Sequence, residues 1–134
     1  MVKQQPRGIR NNNPLNIRIG NVWLGEVDHP TDPAFEQFIS MKYGLRAAFV
    51  ILRRYIKRYR KDTIAAIVST WAPSSENDTI KYIDFVCSKT GMAPDVPIKY
   101  QDEETMVKLV AAMAQMECGK PIDEKVIREG YHMA

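Results

Sequence analysis

Glu117 continues a helical stripe that is otherwise apolar. Met106, Leu109, Val110 and Met113 fall on one helical face, and position 117 is the next on it. Gly119 and Pro121 follow directly and stop the helix, which leaves the carboxyl at the negative end of a helix dipole. Apolar surroundings and that dipole end both raise a carboxyl pKa. An acid that keeps its proton near neutral pH is what protonation of a glycosidic oxygen requires. The competing use of Glu117 is as a residue at the stripe's edge that reaches water.

A second carboxylate would define the reaction. Glu26 and Asp28 follow Trp23-Leu24-Gly25 in a polar stretch. Glu26 is the candidate to stabilise an oxocarbenium ion or activate water, whereas Asp28 suits surface solubility. Glu76 stands just before a helix and suits its cap or dipole. Trp23 and Trp71 are candidates to stack on sugar faces, although the place of Trp71 on the inner side of an amphipathic helix favours the core. Asn13 and Asn16 offer amides to N-acetyl groups and equally suit turns, while Arg10, Arg18 and Arg46 are candidates for ion pairs with carboxylates inside the fold. Two cysteines, Cys87 and Cys118, and two histidines, His29 and His132, form no ligand-spaced cluster, so neither a metal nor another cofactor is expected.

The elements that must hold these groups change character once along the chain. Residues 1–40, rich in Asn, Gly, Pro and Asp, read as loops with a short hairpin around 16–19 and 35–39. Beyond Met41 the pattern is helical. Leu45, Ala48, Phe49, Leu52, Tyr55, Ile56 and Tyr59 predict a long central helix. Asp62 or Thr63 caps a short helix ended by Pro73, and a third runs from Asn77-Asp78 to Gly91. Residues 92–101 form a Pro-interrupted connection. Asp102-Glu103-Glu104 then lead into the Glu117 helix, and a short helix with Val126 and Ile127 follows. The expectation is a single mainly α (α+β) domain over 1–134, with a small irregular or β N-terminal lobe at 1–40 and a helical part at 41–134.

The chain has 134 residues, enough to bury one core without disulfides, and a formal net charge of +3. Six of its nineteen basic residues lie between Arg53 and Lys61. That patch reads as a solvated helix face able to meet anionic cell-wall polymers; no nucleic-acid reading motif accompanies it, so nucleic acid is not the expected partner. No run approaches membrane-spanning length and no export signal is recognisable, so a soluble protein without membrane insertion is expected.

Several stretches together resemble a family of phage and prophage proteins described as virion structural or lysozyme-like. They are Arg7-Gly8-Ile9-Arg10-Asn11-Asn12-Asn13-Pro14-Leu15-Asn16-Ile17-Arg18, Trp23-Leu24-Gly25, Phe35-Glu36-Gln37-Phe38, Gly44-Leu45-Arg46-Ala47, Trp71-Ala72-Pro73-Ser74-Ser75-Glu76-Asn77-Asp78-Thr79 and Tyr82-Ile83. Met116-Glu117-Cys118-Gly119 looks like that family's Glu-Asn-Gly step, with Cys118 a departure. A more distant resemblance is to lytic transglycosylases and bacterial glucosaminidases, in which a helix ends in Glu-Ser-Gly. Residues 13–18 and 23–25 look like the glucosaminidase lobe, and Thr79-Ile80-Lys81-Tyr82-Ile83 like the transglycosylase helix whose Tyr lies beside the catalytic Glu. Because the Glu helix stands at the other end of this chain, the resemblance implies a circularly permuted lysozyme-like fold.

That resemblance implies cleavage of the β-1,4 glycan bond of peptidoglycan. Glu117 and Glu26 would be catalytic, and Asn13, Asn16, Arg18, Trp23 and Tyr82 would bind substrate. Glu117, Tyr82 and the segment 13–23 should share one groove. Without a second carboxylate within roughly 5 to 9.5 Å of the acid, closure to an anhydro sugar, as in lytic transglycosylases, replaces hydrolysis. The other class of function is a non-catalytic virion component or peptidoglycan-binding protein of the same fold. Virion proteins are then partners, and the site of action is the periplasm or cell wall, reached after cytoplasmic synthesis or with the virion.

Overall fold

The computed structural model describes residues 5–134, and its architecture is mainly helical. After a single turn, α1 (Arg7–Arg10), come α2 (Met41–Lys57), α3 (Ile64–Trp71), α4 (Thr79–Thr90), α5 (Glu103–Cys118) and α6 (Glu124–Met133). No helix among the described residues is long and apolar enough to cross a membrane.

Local chemistry marks the starts of α3 to α6 and the ends of α4 and α5. The Thr63 hydroxyl accepts the Ala66 N–H, Asp78 accepts from Lys81, Asp102 from Thr105 and Asp123 from Lys125, so four helix starts have side-chain caps. Gly91 (φ +72°) and Gly119 (φ +74°) take the left-handed conformation that ends α4 and α5. The α2 helix stops at Lys57, short of the predicted Tyr59. Arg60 there adopts φ +55°, and Tyr59 turns out to solvent.

One core joins the helices. From α2 it takes Leu45, Phe49 and Leu52, and from α3 Ile64, Ile67 and Val68. Met106, Leu109, Val110 and Met113 of α5 are fully buried, as their spacing predicts, and Val107, Ala112 and Ala114 widen that stripe. Burial of such side chains stabilises by about 1.5–3 kcal/mol each. Helix α6 packs along α2, where a Cβ on Gly130 would collide with Leu45. Arg128 ties α6 to the start of α5 through Glu103 (2.7 Å) and Glu104 (2.9 Å).

The lobe before α2 contains no strand among the described residues, only two isolated antiparallel bridges, Arg18 with Phe35 and Glu26 with Phe38. Side chains take the place of a ladder. The Asn13 amide donates to the carbonyls of Ile17 (2.9 Å) and Glu36 (3.0 Å), and its oxygen accepts the Ile17 N–H (2.9 Å). Asp32 receives Arg7 at 2.6 Å and accepts the N–H groups of Ala34 and Phe35. Gly44 locks the lobe onto α2, because a Cβ there would run into the Asn12 carbonyl.

Candidate active site

The last turn of α5 meets segment 13–18 from the lobe. The Cys118 thiol donates to the Pro14 carbonyl (3.0 Å), the Trp71 indole N–H to the Leu15 carbonyl (3.1 Å), and the Asn16 amide to Glu117 Oε1 (3.0 Å). Asn16 holds φ +54°, a left-handed conformation that asparagine tolerates better than most residues. Its other amide atom, Oδ1, is buried beside Gly8, where any larger residue would crowd it and collide with the Cys118 sulfur and the Asn13 carbonyl.

Glu117 is half-buried on the wall of an open groove. Three adjoining hollows form it. One of about 180 Å³ is bounded by Ile51, Tyr55, Trp71 and Arg18, and one of about 170 Å³ by Asn16, Arg18, Trp71, Glu76 and Glu117. The third, about 320 Å³, lies between Glu117, Met116, Tyr82, Lys81 and Asp78. Burial pushes the Glu117 carboxyl above its ordinary value, and hydrogen bonds from Asn16 and Tyr82 pull part of the way back. It takes part in no ion pair among the described residues. A cation would have cancelled the upward shift; neutral donors orient the acid and leave it able to hold its proton.

Tyr82 is buried, its hydroxyl 3.4 Å from the Met113 carbonyl and beside the Glu117 carboxylate. Burial and that neighbouring charge both drive the phenol's pKa upward, so it serves as a donor. Arg18, largely exposed, faces the groove with its guanidinium 4.0 Å from Glu76 and 5.1 Å over the Phe35 ring. Glu117, Asn16, Arg18 and Tyr82 therefore share one surface.

The other candidates lie elsewhere. Asn13 is fully buried and its amide is used within the lobe, in the turn-forming role. Trp23 is only 8% exposed beneath the Arg54 guanidinium, whereas Trp71, expected in the core, is half-buried and lines two of the hollows. Trp71 packs against the core with one part and lines the groove with the other, because α3 ends there and the core gives way to the groove. Glu26 does not line the groove. Its bridge to Phe38 brings its carboxyl against that of Glu36, which burial and the neighbouring acid push up to about 7. Asp28 is exposed.

Glu76 does not cap α4; Asp78 does. Arg10 and Arg46 donate to the main-chain carbonyls of Gln5 and Met133 rather than to carboxylates. The basic patch is partly spent on aromatic faces, with Arg53 over Tyr100, Arg54 over Trp23 and Lys61 over Tyr55. No group of three or more His, Cys, Asp or Glu residues among those described is arranged to hold a metal ion. Two features escaped the sequence reading: the Glu26–Glu36 pair and the place of Glu76 on the groove wall. Only the Phe35-Glu36-Gln37-Phe38 run bore on Glu36, as an acid and an amide set between two phenylalanines.

No family model matches the sequence. Across 97% of its length the chain is 39% identical to Protein P5 of Pseudoalteromonas phage PM2 and spans 82% of that protein. The chain therefore belongs to the family of this phage protein.

Proposed function

We infer that the protein cleaves the β-1,4 glycan strand of peptidoglycan on a circularly permuted lysozyme-like fold, with Glu117 delivering the proton to the leaving oxygen. The observation that carries this reading is the state of Glu117: half-buried at the end of α5, raised in pKa, held by neutral donors and open to a groove. Asn16 and Tyr82 orient the acid. Arg18 supplies a cation for the carboxylates of the wall polymer, and Trp71 offers a ring for a sugar face, in place of Trp23. Kinship with a phage protein fits an enzyme carried by, or made with, a virion.

Purified protein should clear peptidoglycan of the Gram-negative type in a zymogram. Glu117→Gln, which keeps the shape but cannot donate the proton, should lower turnover by at least about 100-fold. Its melting temperature should stay close to the wild type. Equal clearing by both proteins would dismiss Glu117 as the acid.

One observation favours a second reading, a virion component that binds glycan without turnover. The Asn16–Glu117 bond joins residues 101 positions apart, so Glu117 also serves as a structural tie. Binding to sacculi without cleavage by wild type or variant would select that reading.

A further inference from the structure

The groove holds a carboxylate that the cap of α4 does not need. Glu76 follows a turn in which its own N–H donates to the Pro73 carbonyl (3.0 Å) and the Asn77 amide to the same carbonyl (3.2 Å). The Thr79 hydroxyl fastens the turn to the Ala72 carbonyl at 2.6 Å, and Asp78 provides the cap. The Glu76 carboxyl thus does no work in the helix start, yet it lies at the mouth of the groove. Its charged neighbour is Arg18, at 4.0 Å. It lines the same 170 Å³ hollow as Glu117, while Glu26 is turned away against Glu36.

The two acids differ in surroundings as an acid and a base should. Glu117 is half-buried and raised in pKa, whereas the Glu76 side chain is 62% exposed beside a guanidinium. Between them lies space for water, each molecule of which takes about 30 Å³.

We propose that Glu76 is the second catalytic carboxylate, the base that activates water against the sugar carbon whose leaving oxygen Glu117 protonates. This rests on the glycan-cleaving reading above. Glu76 takes one proton from a water molecule as its oxygen bonds to C1. The bond from C1 to the bridging oxygen breaks, and its electron pair takes the Glu117 proton. One water is consumed, nothing is oxidised or reduced, and both products are ordinary hydrated sugars, the new reducing end having inverted configuration.

Mass spectrometry of soluble glycan fragments tests this directly. Wild-type products should carry a hydrated reducing end, heavier by one water than an anhydro sugar. Glu76→Gln should turn over at least about 100-fold more slowly, with an unchanged melting temperature because the side chain is exposed. Azide should restore rate to Glu76→Ala by forming a glycosyl azide of inverted configuration, since an anionic nucleophile needs no base. Anhydro products from the wild type, or wild-type turnover by Glu76→Gln, would overturn the role of Glu76 and leave Glu117 as the acid. No cleavage by the wild type would remove the glycan-cleaving reading and this role with it.

Discussion

Glu36 sets a pH dependence on folding that Gln in its place should abolish. Its carboxyl is nearly fully buried, one oxygen finds no hydrogen-bond partner among the described residues, and Glu26 stands beside it. Burial first, and the second acid next, lift its pKa from the ordinary 4.5 to about 7. Below pH 4.5 both folded and unfolded chains hold the proton, and the group is neutral toward stability. Between 4.5 and 7 the unfolded chain ionises first, so stability falls as pH rises, and above 7 the loss is complete. At about 1.4 kcal/mol for each unit between the two values, the ceiling is about 3 kcal/mol. For a chain of this length that is about 10 °C in melting temperature. Thermal unfolding followed by circular dichroism from pH 4 to 8 should therefore show the wild type falling relative to Glu36→Gln by up to that amount. Parallel profiles for the two proteins would refute the reasoning, because the difference between them isolates the Glu26–Glu36 pair.

The Asn16 amide stabilises the charged form of Glu117, so Asn16→Ala should raise the carboxyl further and move the alkaline limb of the pH–kcat/KM profile upward; a limb that stays in place would mean the hydrogen bond does not tune the acid. Gly44→Ala forces a methyl group into the Asn12 carbonyl and should cost about 3 kcal/mol in urea unfolding, against a few tenths for Ala at the open position Gly20.

The helices were legible in the sequence because their signals are local. Thr63, Asp78, Gly91 and Gly119 act within one turn of themselves, and the stripe 106, 109, 110, 113 names its own buried face. The lobe was not, since its order comes from amides and carboxylates such as Asn13, Asp32 and Gln37 bonding to main chain at irregular separations. Such bonds have no period to detect. The groove stood between these cases. Glu117 announced itself as an acid on an apolar stripe, and motif resemblance singled out Asn16 and Tyr82. Glu76 resembled a cap because the residue that caps α4 is only two positions away. Helical spacing set Trp71 against the core, as it is, but spacing does not reveal where a core ends and a groove begins.

The hydrogen bonds from segment 13–18 to the end of α5 span 101 and 104 residues of sequence. A ribosome adds roughly 5 to 20 residues each second, so roughly 5 to 20 s separate the synthesis of Asn16 from that of Glu117. Contacts so distant in sequence close late in folding, after the loop between them has been ordered by the helices in between. The two halves of the groove therefore stay apart while α2, α3 and α4 are being made, and the nascent chain carries no assembled site until residue 118 has emerged.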